Sequence, residues 1–209
     1  MLFRSTVSLR WRAAEAIAAR VRLSAGGAFG DAVESPATIQ HRVLLKDLVP
    51  GAAYRYEVEM NGAVRAGVFV APGRSAVRMV QFGEFHAPSA SPEAAAFGPV
   101  VREFRPHVLI ESGDMVDDGA DLTHWVDYLR SSAAWISNVL LLPAHSNHVG
   151  PEAGLVHMHC LFALPEDRVY FTTRYGPVEV LSIASESSEL QDEEKAWIRA
   201  SAEDAHDGD

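Results

Sequence analysis

The sequence predicts an all-β unit followed by an α/β unit, and three observations carry that reading. Up to about residue 74, apolar and polar side chains alternate with the period of half-buried strands; beyond it, short continuous apolar runs alternate with helical patterns. The charge divides at the same place. Residues 1–74 hold ten Lys/Arg and six Asp/Glu and residues 75–209 hold eight and twenty-two, so the net charge of −10 splits into +4 and −14. Between them Ala71-Pro72-Gly73 reads as a linker, which sets the two units at residues 1–73 and 74–209.

The first unit is built of strands. Val7, Leu9 and Trp11 alternate with Thr6, Ser8, Arg10 and Arg12; Ile17, Ala19, Val21 and Leu23 alternate again, with Arg20 and Arg22 outward. The alanines of 13–19 also suit a helix, but the flanking alternation favours strand. Gly26, Gly27 and Gly30 mark a loop, and His41–Leu45 resumes the strand pattern. In Leu48-Val-Pro50-Gly51-Ala-Ala-Tyr54, a tyrosine opens an alternating strand just after a Pro-Gly turn. That is the pattern of a corner in which the phenol bonds back to the connecting backbone. Asn61-Gly62, between two short apolar runs, is a two-residue hairpin signal, and Phe69-Val70 closes the last strand. Nothing in this unit carries chemistry.

The second unit opens with the strand Val77–Phe82, followed by Gly83-Glu84-Phe85-His86. Glu93–Phe104 reads as a helix that Gly98-Pro99 breaks or restarts. Val108-Leu-Ile110 is a buried strand leading into Glu-Ser-Gly113-Asp114, with Asp117, Asp118 and Gly119 close behind. Asp121–Trp135 reads as a helix with Leu122, Trp125, Tyr128 and Leu129 on its core face, and Val139–Leu142 is a third strand ending in Ala-His145-Ser146-Asn147-His148. Strand, helix, strand, helix, strand argues for a parallel sheet with its functional loops at one edge.

Composition bounds what the chain does. With 48% hydrophobic and 22% charged residues it has the make-up of a globular protein, and no apolar run approaches the roughly 18 residues of a membrane span. An acidic second unit argues against nucleic acid as a partner, because phosphate backbones attract basic surfaces. It suits cation binding, and equally a solvated acidic surface. Cys160 is the single cysteine, which excludes an internal disulfide. The N-terminus, MLFRSTVSLRW, lacks the apolar run of a signal peptide.

Polar clusters stand at three successive strand ends: Glu84 with His86, then Asp114, then Asn147 with His148. Open α/β sheets bind ligands just past the carboxyl ends of their strands. Carboxylate, imidazole and amide groups delivered there suit Fe, Mn or Zn better than Ca or Cu. Two such cations about 3.5–4 Å apart activate water and clamp a phosphoryl group. His157 and His159 would face one side of an extended segment, but they lie in a loop beyond these clusters, so exposure is the preferred reading over ligation. His107, His124 and His145 have no partner at useful spacing and read as surface or capping residues, and the acidic run Glu186–Glu194 reads as a helix N-terminal turn.

At this point the chain resembles the purple acid phosphatase-like proteins of the calcineurin-like metallophosphoesterase superfamily. The resemblance rests on the Leu-x-Pro-Gly-x-x-Tyr corner and the order of the three polar clusters. It extends to Phe162-Ala-Leu-Pro165, Tyr170-Phe171 and a final Gln191–Trp197 helix. It implies a fibronectin III-like sandwich followed by a metallophosphoesterase-type β-sandwich flanked by helices. It also implies two divalent or trivalent metal ions (Fe, Mn or Zn) and a small phosphate ester as substrate. Glu84 and His86 would ligate the first metal, Asp114 would bridge, Asn147 would ligate the second, and His148 would contact the phosphate and protonate the leaving oxygen. Members of the family are often exported.

The departures matter as much. Glu84 stands where the family has aspartate, Ser146 where it has glycine, Val149 where it has glutamate, and Asp117 where purple members have a metal-binding tyrosine. The family's two later histidine blocks would fall beyond Asp209, and His206 fits neither. The expectation is therefore an incomplete phosphoesterase unit holding about half of a dinuclear site. The alternative is a non-catalytic binding or scaffold module on the same fold.

Overall fold

Ser5–Ser24 forms one twenty-residue strand, β1, and the alternation that breaks at the alanines marks where this strand bends. The computed structural model describes residues 5–73, 76–89, 91–150, 152–162, 164, 169–184 and 190–206. β1 pairs antiparallel with β2 (Val33–Leu48), and the register jumps between Arg12↔Gln40 and Ile17↔Thr38, so extra residues of β1 bulge out. Such a bulge bends and twists the strand that carries it. β3 (Ala53–Met60) and β4 (Ala63–Val70) extend the sheet to the order β2-β1-β3-β4. Val7, Val43 and Leu45 on one side of the bulge share a single core with Val21, Tyr54, Tyr56, Val58 and Phe69 on the other. Ala13–Ala19 lies within β1, because the pairing of Arg12, Ile17 and Ala19 with β2 on either side of the bulge outweighs the helix preference of alanine.

A two-sheet sandwich was the expectation for this unit. Among the described residues it is one hydrogen-bonded sheet of four strands. The tyrosine corner is in place: Tyr54 is buried and its hydroxyl accepts from the Val49 N–H at 2.8 Å. Asn61 and Gly62 both take positive φ, +49° and +74°, the requirement of the tight hairpin turn joining β3 to β4.

The rest of the chain is α/β. Strands β5 (Met79–Phe82), β6 (Val108–Glu111) and β7 (Leu140–Pro143) form a parallel sheet in the order β5-β6-β7. The first crossover is two short helices, α1 (Ser91–Ala96) and α2 (Gly98–Phe104), with the break at Phe97 just ahead of Gly98-Pro99. The second is α3 (Leu122–Ile136), whose first turn is capped by Asp121 accepting from the Thr123 N–H. Trp125, Tyr128 and Trp135 fall on one face of α3 and are fully buried. Each such ring contributes roughly 4 kcal/mol of transfer free energy. After β7 come a 3-10 turn (Asn147–Val149), α4 (Glu152–Phe162), an antiparallel hairpin of β8 (Phe171–Tyr175) and β9 (Val178–Ser182), and α5 (Asp192–His206).

Two sequence expectations change here. The His157–His159 segment is not an extended loop but part of α4, whose Gly154, Met158 and Leu161 are buried at helical spacing. The last helix starts at Asp192 and runs to His206, well past Trp197. Asp192, Glu193 and Glu194 occupy its first turn, where the helix dipole favours carboxylates, and Glu194 accepts from the Gln191 N–H at 3.0 Å. Ala163, Pro165 and the Glu186–Glu189 part of the acidic run lie outside the described residues.

The β-sheet unit sits directly on the α/β part. Tyr56 donates its hydroxyl to the Ser137 carbonyl at 2.8 Å and Tyr175 donates to that of Val70 at 2.9 Å. Burial pushes the Tyr56 phenol up to about 12.

Candidate metal centre

The parallel pairing of β5 and β6 continues beyond their formal ends, and this carries the Gly-Glu-Phe-His loop onto the Gly-Asp loop. The Glu84 N–H donates to the Gly113 carbonyl (3.2 Å), that of His86 to Asp114 (2.8 Å) and that of Ala87 to Met115 (3.0 Å). Glu84, His86 and Asp114 all take left-handed φ, +62°, +46° and +53°. Each such residue costs on the order of 1–3 kcal/mol, and clusters of them mark sites where local geometry is imposed by its surroundings. Two glycines allow the loops to meet. A Cβ on Gly113 (φ +112°) would come within 2.8 Å of the Ser146 Cβ. One on Gly119 would come within 2.3 Å of the Val149 carbonyl oxygen. Gly119 instead donates its N–H to the His148 carbonyl at 2.7 Å, which fixes the β7 loop against the β6 loop.

These contacts bring His86, Asp114 and His148 together, one ligand atom of each lying within 4.8 Å of the others. His86 Nε2 is 3.8 Å from Asp114 Oδ2, and the two imidazoles meet edge to face with centroids 4.6 Å apart. His148 Nδ1 lies 2.8 Å from the Asp117 carbonyl oxygen. A carbonyl only accepts, so this ring carries its proton on Nδ1 and presents a lone pair at Nε2. The Asp117 carboxylate stands 3.6 Å from His86 Nδ1. Its pKa is lowered first by the hydroxyl of Ser89, which donates to it, and further by the Ser89 N–H and the nearby His86 and His124. Asp117 thus orients one ring through its backbone and faces the other with its side chain, the arrangement that metal-ligating histidines ordinarily have.

Asp114 Oδ1 is buried without a hydrogen-bond partner among the described residues. A buried carboxylate oxygen left unpaired is costly, and a cation is the partner that removes the cost. Two imidazoles and a carboxylate fit Fe, Mn or Zn.

Of the five residues singled out from the sequence, His86, Asp114 and His148 converge. Glu84 is exposed and stands outside this group. Asn147 is exposed at the start of the 3-10 turn, its carbonyl accepting from the Gly150 N–H at 3.1 Å.

Other residues lie differently from their sequence reading. His145 is not a surface residue: it is 5% exposed, and its Nε2 is 3.1 Å from His159 Nε2. Burial and then the neighbouring ring push it down to about 4. His157 turns away from that pair, its Nδ1 lying 3.2 Å from the Gly119 carbonyl. His124 does serve the loop, accepting from the Asp118 N–H at 3.0 Å. Glu111, three residues before Asp114, is fully buried with Tyr128 donating to its Oε2, and burial raises its carboxyl well above the usual range. Its position at the end of an apolar run was the signal for it.

No protein-family model matches the chain, and no curated protein matches it. Solved structures do share its fold. It is similar to purple acid phosphatase PPD1 from yellow lupin (Lupinus luteus) seeds, with a TM-score of 0.73 and 16% identity over 94% of this chain and 45% of that one. It is also similar to PhoD, with a TM-score of 0.68 and 10% identity over 90% of this chain and 51% of that one. The chain spans about half the length of these structures, and what it shares with them is a mixed α/β fold of the phosphoesterase type.

Proposed function

We propose that this chain is a purple acid phosphatase-like metallophosphoesterase unit acting on small phosphate esters, with residues 74–209 carrying the site and residues 1–73 a fibronectin III-like companion. One observation carries the reading: the unpartnered, buried Asp114 Oδ1 beside His86 and His148, on loops that follow successive parallel strands. The phosphatase activity in the name of the lupin protein supports the choice of substrate class.

His86, Asp114 and His148 would hold the cation, with Asp117 and Ser89 fixing the rings. A cation there supplies Lewis acidity toward the phosphoryl group and makes a bound water more acidic. In its present tautomer His148 offers a lone pair at Nε2, which holds a cation or takes up a proton; it hands a proton to a leaving oxygen only once ionised. Asn147 would serve a second cation, and Glu84 would join the first by leaving its exposed position.

That exposure of Glu84 favours a second reading, a non-catalytic module that keeps the fold and one cation. Elemental analysis after purification with Mn, Fe or Zn, together with p-nitrophenyl phosphate turnover, decides between them. Turnover that Asp114→Asn abolishes establishes the hydrolase. Cation uptake that Asp114→Asn abolishes, with no turnover above the variant, establishes the module. No cation dependent on Asp114 would sink both.

A further inference from the structure

We propose that His145 and His159 form a second cation site, separate from the His86–Asp114–His148 centre, for a borderline divalent ion of the Zn(II) or Co(II) class. The two side chains come from different elements, His145 from the loop after β7 and His159 from α4. The helix itself makes the pair. Successive helical residues turn by about 100°, so His157 and His159 point apart. His159 meets His145, while His157 lies against Gly119.

The distance suits a shared ion. Two nitrogens bound to one cation at about 2.0–2.1 Å, at tetrahedral or right angles, lie about 2.9–3.4 Å apart. The Nε2 atoms of His145 and His159 are 3.1 Å apart. Imidazole is the side chain these ions prefer, and both rings bind as neutral ligands. Uptake requires both Nε2 atoms to be bare, so the ring that carries its proton on Nε2 exchanges it through solvent for one on Nδ1; the pair's net charge is unchanged.

Access is from the side of His159, which is half-buried. The role is a clamp. The carbonyls of His159 and Cys160 receive the side chains of Arg10 and Gln40, so an ion on this pair would fasten α4 to β7 where the β-sheet unit also grips the helix.

The test is Zn(II) binding to the full 209-residue chain by equilibrium dialysis, followed by Co(II) absorption. Asp114→Asn removes the first centre, so the ion it retains reports the second. One Zn(II) should remain bound to Asp114→Asn, and adding His159→Gln should weaken that ion at least tenfold. His159→Gln alone should lose one equivalent of Zn(II) relative to wild type and keep any p-nitrophenyl phosphate turnover, so the result does not depend on how Asp114→Asn folds. Co(II) at this pair should give visible bands that vanish with His159→Gln. Equal Zn(II) uptake with and without His159, including no uptake in either, overturns the proposal and leaves the pair as an N–H···N hydrogen bond only.

Discussion

Asp114 keeps one carboxylate oxygen 3.8 Å from His86 Nε2 and the other shut away from solvent with no hydrogen-bond partner among the described residues. The same side chain is therefore a liability without a cation and an anchor with one. Asp114→Asn should separate the two effects, since asparagine also tolerates the left-handed φ of +53°. In metal-free buffer the variant should be more stable than wild type by about 1 kcal/mol in urea unfolding, because the atom left buried without a partner then belongs to a neutral amide and no longer to a carboxylate. With Zn(II) added, wild type should gain stability from this centre and the variant should not. A variant less stable than wild type in both buffers would mean that Asp114 is a structural residue.

Gly119 tests whether the loops must touch. A Cβ there would sit 2.3 Å from the Val149 oxygen and 2.6 Å from its Cα, backbone atoms that cannot rotate aside. Gly119→Ala should push the Asn147–Val149 turn outward and carry His148 with it. We expect a loss of about 1–3 kcal/mol in stability and at least tenfold weaker Zn(II) binding at the first centre. Gly27→Ala, where a Cβ meets nothing within 4 Å, is the control and should stay within about 0.5 kcal/mol. Equal behaviour of the two variants would show that the loop contact has no bearing on the site.

Much of this was legible in the residues. Alternation set the first four strands, Pro50-Gly51 and Tyr54 announced the corner, and Gly113-Asp114 after an apolar run pointed to the loop on which His86, Asp114 and His148 converge. The rest depends on contacts between residues distant in sequence. The pairing of His145 with His159 crosses from a strand end to a helix, and two histidines spaced by one residue read as readily as strand as they do as helix. Asp117 orients His148 through a backbone carbonyl, which no side-chain pattern encodes. The bulge that bends β1 depends on which residues of β2 it meets, so strand periodicity could not distinguish one bent sheet from two stacked ones.

The tyrosine corner has a testable energy. Tyr54 stacks on Phe69 with centroids 5.4 Å apart, a contact that phenylalanine retains, so Tyr54→Phe removes only the acceptor of the Val49 N–H. Val49 is exposed, and water can take over part of that bond. The expected loss is about 1 kcal/mol, seen as a lower urea midpoint at an unchanged slope. No change in midpoint would make the corner a feature of chain geometry alone.

Glu111 makes stability depend on pH, and the sign follows from its burial. Its carboxyl is raised well above the usual value, first by desolvation, so the folded chain keeps a proton that the unfolded chain releases above about pH 4.3. The contribution is complete below that pH and is lost as pH rises toward the folded value, at up to about 1.4 kcal/mol per pH unit. Tyr128 donates to Oε2, and an amide oxygen in the same place accepts that bond equally well. Glu111→Gln has no proton to lose. Its stability relative to wild type should therefore grow steadily in urea unfolding from pH 5 to pH 8. Parallel curves for the two proteins would mean that Glu111 is ionised in the folded chain.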